Sequence, residues 1–219
     1  MKLHLLLFFL IVGLLKMHSQ ERFTAFFEPE FELTYQVTQH YEYSFGIENR
    51  NFVYKSARSD YEVKQVDLSH FSTFRLPSNS SIGLGVQYRF ETMFDASEEN
   101  ELRLMQAYQW LMFSNRLENR FRTEQRFYKS TTKYRFRQEF ALKFPLEGSV
   151  LSHFKTEAES LFELASSQKL ELEQRFSIAF GINLAPKTSM TFAAQYRLAN
   201  YTQVPAHELF FKLGFEVSL

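Results

Sequence analysis

From Arg116 onward, charged residues alternate with uncharged ones for the length of one segment. Arg116, Glu118, Arg120, Arg122, Glu124 and Arg126 take the even positions, and Leu117, Asn119, Phe121, Thr123, Gln125 and Phe127 the odd ones. On a helix this spacing would scatter charge around the whole circumference. On a strand, where successive side chains point to opposite sides, it puts every charge on one face. The device repeats after "KSTTK". Arg135, Arg137, Glu139 and Lys143 share one parity, and Tyr134, Phe136, Phe140, Leu142 and Phe144 share the other. The pattern predicts two neighbouring strands, each charged on one side and greasy on the other.

The alternation recurs along the chain. Phe31, Leu33, Tyr35 and Val37 alternate with Glu30, Glu32 and Thr34, and Tyr41, Tyr43, Phe45 and Ile47 with Glu42, Ser44 and Glu48. Ile82 to Phe90 opposes Gly83 to Glu91, and Leu102, Leu104, Tyr108 and Trp110 oppose Glu101, Arg103 and Gln109. Leu170 to Phe180 opposes Lys169 to Arg175, and Met190 to Leu198 opposes Thr191, Gln195 and Arg197. Only so fine a segregation reconciles 26 Phe and 11 Tyr with a mean hydropathy of −0.30. The segments approach the length of a strand that crosses a bilayer, about ten residues. Tight turns are expected at Thr38–His40, Pro77–Ser81, Ser114–Asn115, Pro145–Ser149 and Asn183–Ser189. Slightly longer connections are expected at Ser56–Tyr61, Asp95–Asn100, Lys129–Lys133, Leu164–Gln168 and Asn200–His207.

These readings predict an all-β fold, a transmembrane antiparallel up-and-down β-barrel filling residues 20–219 as one domain. Eleven strands can be traced from Phe27. Because bacterial single-chain barrels have even strand numbers, the expectation is about twelve strands, with ten as the alternative. The additional strand would come from Glu21–Phe27 or from a split of Tyr41–Lys55. At the N-terminus, Lys2 precedes an apolar run from Leu5 to Leu15, interrupted only by Gly13. The run is too short for a spanning helix and has the form of a signal peptide, here residues 1–19, with Ser19 before the cut.

Alternation does not say which face points inward. A soluble barrel of the lipocalin type would bury the aromatics and wet the arginines. The strand number exceeds the eight of that class. Tyr88, Tyr108, Trp110, Tyr134 and Tyr196 suit interfacial aromatic girdles. The chain also ends on an alternating strand, "LFFKLGFEVSL". That strand resembles the C-terminal signal by which the barrel-assembly machinery recognises its clients, although Leu219 stands where an aromatic is usual. The expected location is the outer membrane of a Gram-negative bacterium, with outer-membrane lipid as the surrounding partner.

The segments "ENELRLMQAYQW", "NRLENRFRTEQRF", "YRFRQEFALKFPLEG" and "LEQRFSIAFGINLAPKTSMTFAAQYRL" resemble a family of small bacterial outer-membrane barrels, the domain of unknown function 2490 family. The resemblance spans nearly all of the chain beyond residue 19. It implies a membrane barrel and carries no catalytic or binding residues with it.

The chemistry the chain offers lies on the charged face. Arg116, Glu118, Arg120, Arg122, Glu124, Arg126, Arg135, Arg137 and Glu139 stand opposite Glu157, Glu159, Glu171, Glu173 and Arg175 on later strands. Their signs nearly balance, and unpaired charge in a confined interior is costly. The expectation is a salt-bridge network that largely fills the lumen, in a barrel with a structural or interaction role. A narrow channel for small solutes, anions included, is the alternative, and an outer-membrane lipid hydrolase a second one. Twenty-five basic and 25 acidic residues leave no uncompensated basic patch, so no nucleic-acid partner is expected. Without cysteine there is no disulfide or thiol chemistry. The histidines beyond the leader, His40, His70, His153 and His207, have no metal-ligand spacing. No metal, cofactor or enzymatic activity is expected. His153 beside Ser152 is the one weak hint of a nucleophile and its base.

Overall fold

A computed structural model describes residues 23–146, 150–165 and 169–219. The expected signal peptide, residues 1–19, lies outside them, as do parts of the turns expected at Pro145–Ser149 and Leu164–Gln168. The described residues form strands and turns, with no helix able to cross a membrane. In chain order the strands are β1 (Phe23–Gln36), β2 (Tyr41–Tyr54), β3 (Glu62–Leu76), β4 (Ser80–Phe90), β5 (Glu101–Met112) and β6 (Leu117–Phe127). They continue with β7 (Thr132–Pro145), β8 (Leu151–Ala165), β9 (Glu171–Ala185), β10 (Thr188–Ala199) and β11 (Ala206–Ser218).

Each strand pairs with its sequence neighbours in antiparallel register, and β1 closes the barrel against β11. The barrel therefore has eleven strands, and neither proposed source supplies a twelfth. Phe23–Phe27 belongs to β1, and Tyr41–Tyr54 is one strand. Up-and-down strands of odd number leave the first and last running the same way, so the closing pair is parallel, from Phe23↔His207 to Thr34↔Ser218. The antiparallel pattern thus holds everywhere except at the seam. A second consequence is that Phe23 and Ser218 stand at opposite ends of the barrel.

Turns at 37–40, 77–79, 113–116 and 186–187 gather at the end where β11 finishes. Connections at 55–61, 91–100, 128–131 and 200–205 gather at the other, where β1 starts. The tight-turn end uses left-handed backbone: Ser78 and Asn79 have φ of 67° and 53° between the paired Leu76 and Ser80. Small polar residues suit that conformation because their side chains bond locally to the backbone.

The faces are inverted relative to a soluble domain. Glu28, Asn51, Gln65, Glu101 and Glu124 are among the most buried side chains. Phe45, Leu84, Tyr134, Phe136, Phe176 and Ile178 are exposed on the outside. The interior is thus the charged face and the exterior the aromatic one, opposite to a lipocalin-type arrangement. Of the expected girdle, Tyr88, Tyr134 and Tyr196 lie toward the long-loop end, and Tyr108 and Trp110 toward the tight-turn end. Tyr88, Tyr108 and Tyr134 are exposed, and the Tyr196 hydroxyl lies 2.6 Å from His207 Nδ1.

Some aromatics turn inward. A register shift between Ala25 and Phe26 brings Phe26 onto Phe210, with ring centroids 4.6 Å apart, and beside Phe52 at 5.0 Å. Bulges of this kind re-aim side chains. Phe210 is buried by simple parity, between Glu208 and Lys212, and the Arg197 guanidinium lies 3.5 Å above its ring. Nearer the other end, Phe71 lies across β4. A Cβ added at Gly83 or Gly85 would come within 2.2 Å of its ring, so a side chain at either position would have to displace it.

Candidate functional site

The lumenal charges of β5 to β9 form a continuous ion-pair lattice. Glu101 Oε1 accepts hydrogen bonds from Arg126 Nε at 2.6 Å and Arg103 Nε at 2.8 Å. Its Oε2 accepts from Arg126 Nη2 at 2.7 Å and from the Tyr128 hydroxyl at 2.9 Å. Arg126 also reaches Glu163, which takes Arg135 Nε at 2.6 Å and Lys133 Nζ at 3.1 Å. Glu159 accepts two hydrogen bonds from Arg137, at 2.7 and 2.9 Å, and one from Arg175 at 3.2 Å. Glu124 accepts from Arg137 at 2.9 Å and has nitrogens of Arg103, Arg122 and Arg135 at 3.8–3.9 Å. Arg120 pairs with Glu139, and Arg175 with Glu173, each at 2.5 Å. Planar guanidinium groups suit such sharing, because each offers five donors in a fixed fork.

The rest of the expected constellation sits apart. Arg116 is exposed in the turn at 113–116. Glu157 pairs with Lys155 of its own strand at 2.5 Å. Glu118 and Glu171 make no ion pair among the described residues. Conversely, several members were absent from the expected set. Glu101, Glu163, Arg103, Arg89 and Arg197 lie on the charged parity of their strands, and that parity would have found them. A second cluster has Glu28 at its centre, with Arg50 at 2.6 Å, Lys212 at 2.7 Å and Arg197 at 3.9 Å. Nearby, Asp67 takes both arms of Arg89 at 2.8 Å. Glu28 was hidden by the bulge, which breaks the alternation just before it.

Register explains why so many partners are needed. Like charges stand directly opposite one another on adjacent strands: Arg122↔Arg137, Arg103↔Arg126, Arg197↔Arg175, Glu139↔Glu159 and Glu30↔Glu48. Such pairs repel. Other arginines face a carboxylate directly, as in Arg120↔Glu139, Arg135↔Glu163, Arg175↔Glu159 and Arg89↔Asp67, and the facing like charges are offset from diagonal positions or, for Arg126 and Glu163, from across β7.

Two connected spaces remain in the lumen. An inner cavity of about 630 Å³ is lined on one side by Glu30, Glu32 and Glu48 and on the other by Arg120, Arg122 and Arg137. A vestibule of about 1010 Å³ opens among the tight turns and shares Glu30, Glu32 and Lys212 with it. At the long-loop end the ion-pair lattice and the cluster of Phe26, Phe52 and Phe210 occupy the interior.

His153 faces the vestibule, with its ring over Gly181 and Nδ1 3.0 Å from Ser152 Oγ. Among the described residues no carboxylate orients this imidazole, and no cluster of acids and histidines could hold a metal ion.

Above the lattice, at the long-loop end, the Tyr128 phenol is held above its ordinary range by burial and by Glu101, against the opposing pull of Arg126. Glu99 accepts hydrogen bonds from the Ser130 backbone N–H and hydroxyl, at 3.0 and 2.9 Å, which draw its carboxyl below the usual range.

No characterised protein in the curated collections matches the sequence. Residues 29–208, most of the barrel from β1 into β11, match a family model described as a protein of unknown function, and the chain therefore belongs to the DUF2490 family.

Proposed function

We propose that this chain is an outer-membrane β-barrel of a Gram-negative bacterium, with a lumen closed at the long-loop end and a structural or interaction role rather than a conducting or catalytic one. The observation that carries this reading is the inversion of faces: buried carboxylates and guanidinium groups inside, exposed Phe, Leu and Tyr outside. A closed sheet leaves no backbone edge unpaired, which is what hydrocarbon demands of a spanning structure. In this reading outer-membrane lipid covers the outer wall, and β11 presents the strand that the assembly machinery handles. Residues 1–19 are removed on export, and nucleic acid has no part in the function. Ser152 and His153 serve as vestibule lining, because His153 lacks an orienting acid and sits between Lys143 and Lys155.

The test is Phe136→Arg, which places a cation on the outer wall in the long-loop half of β7, within the proposed span. It should lower stability in bilayers by about 2–4 kcal/mol, measured by chemical unfolding in lipid vesicles. Full stability of this variant, together with recovery of the wild type from the soluble fraction, would overturn the membrane reading. The vestibule supports a second reading, a narrow channel for small solutes including anions. Planar-bilayer recordings decide it: the closed reading expects no stable conductance from the wild type.

A further inference from the structure

The lattice leaves charge of both signs over, and the surplus faces the inner cavity from opposite walls. On β6, Arg122 has one carboxylate within 4 Å among the described residues, Glu124 at 3.8 Å, and Glu124 accepts its short hydrogen bond from Arg137. The Arg122 Nε is buried and has no hydrogen-bond partner. Its cross-strand neighbour is Arg137, and Arg120 projects from the same face two residues away. On the other wall Glu30 makes no ion pair among the described residues. Its cross-strand neighbour is Glu48, which has only Arg50 at 3.4 Å. Glu32, one step nearer the vestibule, accepts only the Thr34 hydroxyl at 3.2 Å. A buried donor without a partner is costly, as are like charges set opposite each other. Both costs fall if something in the cavity brings a negative group to Arg122 and a positive group to Glu30 and Glu48.

We infer that the inner cavity binds a small zwitterionic solute, with its carboxylate on Arg122 beside Arg120 and its ammonium on Glu30 and Glu48. The solute reaches the cavity through the vestibule, whose shared lining residues include Glu30 and Glu32. Size agrees with this class: about 630 Å³ holds an amino-acid-sized molecule with its water. A simple anion would satisfy Arg122 but leave the Glu30–Glu48 repulsion in place, and a simple cation would do the reverse. The site requires the barrel and its lumen, not their place in a membrane, so it is testable in detergent.

The experiment titrates the detergent-folded protein by calorimetry with glycine, 4-aminobutanoate and 6-aminohexanoate, and with the matching carboxylates and alkylammonium ions. At least one zwitterion should bind saturably and tenfold or more tighter than either single-charge relative. That affinity should fall at least tenfold in Arg122→Gln and in Glu30→Gln, persist in Arg122→Lys, and be unchanged in Glu157→Gln on the vestibule wall. No saturable binding, equal binding of the plain carboxylate, or zwitterion binding indifferent to Arg122→Gln and Glu30→Gln would each overturn the inference. Should a variant fail to fold by heat-modified gel mobility, the comparison of ligands on the wild type still decides it.

Discussion

Glu101 takes two hydrogen bonds from Arg126, one each from Arg103 and Tyr128, and has Arg89 3.5 Å away, with no side-chain surface of its own exposed. Truncating one partner in such an array leaves the others desolvated and uncompensated, which costs more than the intact pair contributes. Glu101→Ala should therefore destabilise the barrel by about 3–5 kcal/mol, read from urea unfolding in micelles. Glu101→Gln, which keeps an acceptor oxygen, should cost less. A loss below about 1 kcal/mol for Glu101→Ala, the scale of a solvated surface pair, would mean that water rather than protein solvates these arginines. Glu99 illustrates the opposite setting, outside the lattice. Its carboxyl is lowered by the hydrogen bonds from Ser130, so its contribution is present above the ordinary carboxylate value of 4.5 and is lost as pH falls through the lower folded value. Protection of the Ser130 amide against hydrogen exchange should thus be unchanged from pH 7 to 5 and decline only below the ordinary carboxylate value of 4.5. A decline near neutrality would contradict that assignment.

At the scale of strands, β3 and β4 are joined inside the lumen by one ring on two glycines. Phe71 covers Gly83 and Gly85, and a side chain at Gly85 would also meet Met105 at 2.9 Å. Gly85→Val should cost about 1–3 kcal/mol by overpacking, and Phe71→Leu should recover part of that loss in the double variant. Simple additivity of the two changes would show that the ring does not rest there. The β1–β11 seam is held by a different device. Its register is unbroken from Phe23 to Thr34 and is reinforced by Phe31 stacked on Phe215 at 5.7 Å and Phe26 on Phe210. A parallel pair is slightly less stable per residue than an antiparallel one, and these stacked rings offset part of that deficit.

For the whole molecule, an odd number of strands has a consequence that a cell can read. In the proposed membrane setting, residues near Phe23 and near Ser218 lie on opposite sides of the bilayer. Proteolysis of short epitope tags on the two ends should show one accessible and one protected in intact cells; equal accessibility would argue for an even-stranded barrel. The lattice also has a collective role. Replacing Arg120, Arg122, Arg135 and Arg137 together with serine removes bulk and strands Glu124, Glu139, Glu159 and Glu163 in the lumen. The quadruple variant should be less stable and should leak, with a preference for cations, whereas the wild type should not conduct. A wild type that already conducts steadily and prefers anions would show that the arginines line a path instead of closing one.

Period-two alternation by itself placed most of the strands, though not all their ends, since β1 begins at Phe23 and β9 runs to Ala185; a strand offers side chains only two directions and this chain uses them for opposite chemistries. The same alternation marked the arginines of β6 and β7 as one face. It did not determine which face was inside, since the pattern is identical for a barrel turned inside out. It did trace eleven strands; the even number usual in bacterial barrels, not the pattern, moved the expectation to twelve. The closing pair joins β1 to β11 at the two ends of the chain, and no local pattern encodes a parallel seam. Pairing was also beyond it: Glu28 meets Lys212 only because β1 closes against β11, and Arg126 reaches Glu163 only across the intervening β7. The surplus charge on Arg122 and Glu30 is the clearest case. In sequence each is one more member of a balanced set, and only the register, which places like against like, leaves them facing an open cavity.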